Sequence, residues 1–337
     1  MGVGGTIVKT LKWVGIVLVL LVVGVGGYVA ATWDRTYDAP YPQVTASTDP
    51  DVIAHGAYLV TGPAHCAACH LNGAADAERY LAGETVALKG GQRFPLGPLG
   101  AVYSRNLTPD VTTGIGRYTD RDIARVMRHA VLPDGRATIP PMMPYGGMSD
   151  DDITAVVSYL RSQPAVANVV PKDEWTMFGK IIKVLTPTIR PRLDVHPPAH
   201  SPAEAVTKAR GEYLAMYVAN CEGCHTPRDE MTFAATGPSF SGGFLMEAEG
   251  EGADPTIRFK TPNLTPQKDG ALASFPDADA FVARFRTTGR VYAGSPMPWE
   301  SFRKISDIDL RALYEFLRGL PAAPGPQSGD IVVTGAN

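Results

Sequence analysis

All four cysteines of this chain fall in two copies of one five-residue string, Cys66-Ala67-Ala68-Cys69-His70 and Cys221-Glu222-Gly223-Cys224-His225. Two thiols three residues apart, with a histidine directly behind the second, can bond to the edge of a haem while the imidazole reaches the iron. The other uses of such thiols are a zinc site, a redox-active cysteine pair, or two disulfides. Zinc needs about four ligands and does not ask for a histidine in that place; a redox pair needs neither the histidine nor a second copy. The string therefore predicts two covalently bound haem c groups, with Cys66, Cys69, Cys221 and Cys224 as attachment points and His70 and His225 as iron ligands. Each haem would supply apolar core that a chain with 35 Gly and 29 Pro lacks.

The repetition extends beyond the cysteines. His55-Gly56-Ala57-Tyr58-Leu59 precedes the first motif as Arg210-Gly211-Glu212-Tyr213-Leu214 precedes the second, and Gly56 to Gly211 is the same 155-residue step as Cys66 to Cys221. Asn106-Leu107-Thr108-Pro109 returns as Asn263-Leu264-Thr265-Pro266, and Ser149 through Arg161 returns as Ser306 through Arg318, both after 157 residues. One ancestral unit occurs twice, as the length of 337 residues allows.

Each copy reads as a set of short helices, which makes the expected class all-α. Ser149 with Asp152, and Ser306 with Asp309, have the form of a reciprocal capping box. Behind them Ile153, Val156, Val157 and Leu160, or Leu310, Leu313 and Leu317, recur at intervals of three and four and predict one buried face. Gly56 and Gly211 are expected where a preceding helix comes close to Tyr159 or Phe316.

An iron held on one side by histidine takes a sixth ligand, and a thioether suits an electron-transfer centre. Met143 and Met297 are the candidates: each precedes a proline and lies eight residues beyond Gly135 or Gly289 in a Gly-Arg pair. Met142 competes at the first site, with Met148 behind it; His129 is the histidine alternative, but the second copy has Thr287 near that position.

Lys9 and Lys12 precede an uncharged stretch from Val14 to Ala31. Its length is close to the ~20 residues that cross a bilayer and exceeds the apolar region of most signal peptides. The expected reading is a retained anchor; Val29-Ala30-Ala31 would serve as a cleavage site if it is a signal. With the lysines before the span, residues 34–337 are expected on the far side of the membrane. With 31 basic and 34 acidic residues, the chain offers nothing to nucleic acid.

Taken together, Arg-Gly-Glu-Tyr-Leu before Cys221, Cys-His-Thr-Pro-Arg-Asp at 224–229, Ser-Arg-Asn-Leu-Thr-Pro-Asp at 104–110, Thr-Gly-Ile-Gly at 113–116 and Met-Pro-Tyr at 143–145 resemble tandem class I cytochrome c domains. They are similar in particular to the multihaem cytochrome c subunits of membrane-bound alcohol, gluconate and fructose dehydrogenases. Those subunits generally carry three haem motifs where this chain has two. The resemblance covers about residues 50–322. It implies that Asn106 and Asn263 lie in loops along the haem near its propionates, with an ordinary Asx turn as the other role for each.

The expected organisation is an anchor over 1–33, a first cytochrome c domain over 48–163, a linker over 164–202, a second domain over 203–322 and a disordered tail over 323–337. The linker's Trp175, Phe178, Ile181, Ile182 and Leu185 are expected to pack between the domains, or to form a strip on the membrane or a partner. The implied function is a relay in the bacterial periplasm, held at the inner membrane. It would take electrons from a dehydrogenase or quinol-oxidising complex and pass them to a soluble cytochrome or terminal oxidase. A haem subunit of a cbb3-type oxidase or quinol:cytochrome c reductase, a di-haem peroxidase and a structural or signalling haem module are the other readings.

Overall fold

The computed structural model describes residues 3–139, 143–249, 254, 256–292, 294–326 and 332–334. Helix α1 (Val3–Thr32) opens the chain. Its apolar part, Ile7–Thr32, is long and apolar enough to cross a membrane, and its most apolar stretch is almost wholly bare of protein. The first repeat comes next as α2 (Pro50–Thr61), α3 (Cys66–His70), α4 (Gly73–Leu81), α5 (Asp120–His129) and α6 (Asp150–Ser162). Helix α7 (Met177–Leu185) lies in the connecting segment. The second repeat has α8 (Lys208–Tyr213), continued by a π-type turn, α9 (Cys221–Cys224), α10 (Ala278–Ala283), α11 (Trp299–Phe302) and α12 (Asp307–Leu317).

In each repeat the helix before the cysteine motif crosses the last helix: α2 on α6, and α8 on α12. The repeated glycine makes this possible. A Cβ on Gly56 would overlap the Ala155 carbonyl and come within 2.8 Å of Tyr159 Cβ; one on Gly211 would overlap the Ala312 carbonyl and come within 2.7 Å of Phe316 Cβ. Leu59, Ile153, Val156, Val157, Leu214, Leu310 and Leu313 are buried in one apolar cluster shared by both repeats, each contributing roughly 1.5–3 kcal/mol.

The expected capping boxes are only half formed. Ser149 Oγ and Ser306 Oγ accept from the backbone of Asp152 and Asp309, both at 3.1 Å, but the carboxylates do not return the bond. Asp152 instead holds His55 at 2.7 Å and accepts from Tyr213 Oη at 2.6 Å. Asp309 takes both ends of the Arg210 guanidinium at 2.8 Å and the Tyr58 hydroxyl at 2.6 Å. The Ser149 and Ser306 amides donate to those same tyrosines, at 2.9 and 3.2 Å. Each repeat thus completes the helix cap of the other. The full box occurs at Thr119 and Asp122, at the start of α5.

Pure helix is also not the outcome. Strands β1 (Arg93–Pro95), β2 (Gly100–Tyr103) and β3 (Glu174–Trp175) form an antiparallel sheet in that order. Strands β4 (Leu245–Glu247), β5 (Ile257–Lys260) and β6 (Val332–Thr334) form another. Strands this short lie below the reach of hydrophobic periodicity. Within the tail, Ala323 is buried, and β6 pairs with β5, Ile257 opposite Thr334. The prolines and glycines near the start of the tail hid a β-branched run behind them.

The segments around the first repeat are also built into it. Arg125, buried, donates to the carbonyls of Ala39 at 3.1 Å and Tyr37 at 3.0 Å, and Ala39 and Val44 are themselves buried. The Val166 carbonyl accepts from Asn106 at 2.9 Å and Thr108 at 3.0 Å. Helix α7 packs on α1, β3 and the turn Gly97–Leu99.

Candidate haem-binding sites

Each cysteine motif starts from a left-handed residue, His65 with φ 42° and Asn220 with φ 53°, and forms a single helical turn. Residues three and four apart then share one side, so Cys66, Cys69 and His70 face together, as do Cys221, Cys224 and His225. All four thiols are unpaired and half-buried. Among the described residues no three Cys, His or acidic side chains converge as a zinc site requires. Burial pushes Cys66, Cys69 and Cys221 up to about 12 and Cys224 up to about 11, so the thiols are protonated at neutral pH.

The histidines are fixed identically. His70 Nδ1 lies 2.7 Å from the Arg105 carbonyl and His225 Nδ1 lies 2.9 Å from the Pro262 carbonyl. A carbonyl only accepts, so Nδ1 carries the proton and Nε2 keeps its lone pair. Burial pushes His70 down to about 4 and lowers His225 as well, which keeps both rings neutral and able to ligate. A donor bond on the second ring nitrogen orients a ligating histidine and raises its basicity.

The residue after each acceptor carbonyl is a buried asparagine. Asn106 Oδ1 accepts from Thr108 N at 3.0 Å and Oγ1 at 2.8 Å; Asn263 Oδ1 accepts from Thr265 N and Oγ1, both at 2.8 Å. Their amide nitrogens donate to Val166 and Ala323 carbonyls at 2.9 and 2.8 Å. Both side chains are therefore engaged in their own turns. What the loop presents to the site is the carbonyl in front.

Sequence reasoning passed over the glycine pairs behind these loops. Gly90 and Gly242 donate to the carbonyls of His70 and His225 at 2.8 and 2.7 Å, while Gly91 and Gly243 donate to Ser104 and Thr261 at 2.9 and 2.7 Å. All four have positive φ, and a Cβ on Gly90 would overlap the Arg105 carbonyl. The signal was available as Gly-Gly at both 90–91 and 242–243.

Met143 and Met297 are both half-buried at the edge of the shared core. The Met143 carbonyl accepts from Arg192. Two residues on, Tyr145 is buried against the first motif: its hydroxyl donates to the Ala64 carbonyl at 2.6 Å. The loop after Met297 is placed by the first repeat, with Phe302 edge-on to His65 at 5.4 Å and Ser301 Oγ 3.1 Å from Tyr80 Oη. Met142 lies outside the described residues. Met148 is fully buried, and His129 is buried with its Nδ1 2.7 Å from the Arg192 carbonyl. The first motif also meets the second repeat directly, α3 lying against α11. Free thiols in pairs, a neutral imidazole with Nε2 available, and surrounding apolar side chains fit a covalently attached haem.

Residues 53–164 match the cytochrome c family, whose domains carry covalently bound haem c. Over 294 residues the chain is 31% identical to the cytochrome c subunit of the quinone alcohol dehydrogenase of Gluconobacter oxydans, covering 82% of this chain and 56% of that subunit. It is 27% identical to the fructose dehydrogenase cytochrome subunit of Gluconobacter japonicus, over 84% of this chain and 55% of that one. A diheme cytochrome c-type protein of Cereibacter sphaeroides is 26% identical over 76% of this chain and 82% of its own length. The chain thus spans little more than half the length of the two dehydrogenase subunits.

Proposed function

We propose, from the cytochrome c domain at residues 53–164, that this chain is a two-domain, di-haem electron relay tethered to the bacterial inner membrane by α1, with both haem domains in the periplasm. The observation that carries the reading is the recurrence in both repeats of one arrangement: a cysteine-pair turn whose histidine is held through Nδ1 by the carbonyl before an asparagine. Cys66 and Cys69, and Cys221 and Cys224, would hold the two haems; His70 and His225 would ligate iron on one side, Met143 and Met297 on the other. Haem supplies reversible one-electron chemistry. The chain's own residues fix each imidazole, surround the centre with apolar side chains and join the two repeats through one apolar core.

The relatives that are cytochrome subunits of alcohol and fructose dehydrogenases support a dehydrogenase as the electron source. A soluble cytochrome or terminal oxidase is the natural recipient. Intact-mass measurement of the denatured protein should show an increment of two haems; a bare polypeptide or a single haem would overturn the count. Affinity purification from the native membrane should bring down a dehydrogenase, and co-purification with integral oxidase or reductase subunits would replace that partner.

A further inference from the structure

Helix α7 is unusual in what it leaves uncovered. Thr176 caps it, accepting from Gly179 N at 3.0 Å, and Gly179 is its buried residue, set so close that a Cβ would overlap the Leu99 carbonyl. The side away from that contact carries Met177, Phe178 and Leu185, which are 63%, 41% and 62% exposed. Met177, Ile181 and Leu185 recur every four residues and Phe178 widens the stripe. Large apolar groups bare on one side of a short helix with lysines on its flank match the pattern of a helix lying in a membrane interface.

The surroundings of the stripe identify its occupant. Helix α7 packs on α1, at the end where the apolar span gives way to Trp33. Lys180 Nζ lies 4.4 Å and Lys183 Nζ 5.5 Å from the Trp33 ring centre, and Lys183 Nζ lies 5.3 Å from the ring of Trp175. Tryptophan at an apolar boundary, with cations held over its ring, is what the headgroup layer of an anionic bilayer favours. A protein partner would have no reason to be aligned with the end of the span, whereas a bilayer crossed by α1 must meet α7 at that level.

We propose that α7 lies in the surface of the bilayer that α1 crosses, with Met177, Phe178, Ile181 and Leu185 among the outer acyl chains and Lys180 and Lys183 at the lipid phosphates. This rests on the reading of α1 as a retained span. Span and surface helix together make two attachments, so the cytochrome body is held at a fixed orientation to the membrane and does not swing on a tether.

The test uses the full-length haem-loaded protein in vesicles of phosphatidylethanolamine and phosphatidylglycerol. Benzoylphenylalanine is placed at Phe178 or Leu185, at Leu20 within α1 as the lipid reference, and at Val169, 83% exposed on the body, as the aqueous reference. Lipid adducts at Phe178 and Leu185 should approach the Leu20 yield and exceed that at Val169 by about tenfold. Lipid adducts at Leu20 alone, or protein adducts at Phe178, would overturn the proposal and leave the span intact. No adduct at Leu20 would remove the span reading, and the proposal with it. Lys180→Glu combined with Lys183→Glu should cut the Phe178 yield severalfold in these vesicles and not in neutral phosphatidylcholine; an undiminished yield in both would overturn the placement of the lysines.

Discussion

The side chains that the two repeats exchange are not chemically equal. His55 and Arg210 occupy the same place in the repeat, yet Arg210 is always charged while His55 titrates near neutrality. The Asp152 carboxylate bonded to His55 raises its pKa above the ordinary 6.5. A raised histidine stabilises the fold fully below its unfolded pKa and loses that contribution as pH rises through the folded one. Thermal unfolding of the protein and of His55→Leu should therefore differ most below about pH 6 and converge in the alkaline range; a gap that widens with pH would refute the assignment. No such pH dependence should accompany Arg210→Met, which strands the buried Asp309 carboxylate and should cost about 3–5 kcal/mol throughout the neutral range. At the irons, if thioether sulfur completes both, Met143→Ala and Met297→Ala should each remove about half of the weak far-red band of the oxidised protein. An unchanged band after Met143→Ala, with loss in Met142→Ala, would move the first ligand by one residue.

At the scale of elements, the crossings of α2 with α6 and of α8 with α12 depend on a missing side chain. Gly56→Ala and Gly211→Ala each push a methyl into a helix backbone that cannot yield as a flexible side chain would. Each should destabilise by roughly 1–3 kcal/mol or more, although alanine is the better helix former by about 1 kcal/mol. A stabilised Gly56→Ala, read by denaturant titration, would show that the helices stand further apart. This crossing was legible in sequence because the repeat supplied two copies of glycine and aromatic in register. The cysteine turns were legible for the same reason. The capping boxes were misread because Ser149 and Asp152 satisfy a local rule, while the partner that takes the carboxylate, Tyr213, is 61 residues away. Only contact between the repeats reveals it. The acceptor carbonyls of Arg105 and Pro262 were invisible for a different reason: a backbone atom has no letter in the sequence, and only the glycine pairs beside it hint at how closely the chain approaches.

For the whole molecule, the decisive question is where the apolar helix α1 stops and the body of the fold starts. The repeat pattern begins near residue 48, and the chain already packs on the first repeat ahead of it, directly behind α1. The strand-like stretch behind Trp33 is part of the body: Tyr37 N donates to the Gly135 carbonyl at 2.8 Å, Ala46 N donates to Asp120 Oδ2 at 2.7 Å, and Ala39 and Val44 are buried. Above all it supplies the carbonyls of Tyr37 and Ala39 to the buried Arg125 guanidinium. A form exported behind a cleavable signal and beginning at Asp34 keeps every one of these contacts. It should be soluble, hold both haems and be reduced by small donors as fast as the full-length protein. Its turnover with the native membrane partner should fall, because a tether raises effective concentration to the millimolar range. A form beginning at Thr45 leaves Arg125 buried without those acceptors, at a cost of several kcal/mol, and also loses the burial of Ala39 and Val44. Its thermal midpoint should lie roughly 10 °C or more below that of the Asp34 form. Equal midpoints would show that residues 34–44 are dispensable to the fold, and loss of haem from the Asp34 form would show that α1 is part of it.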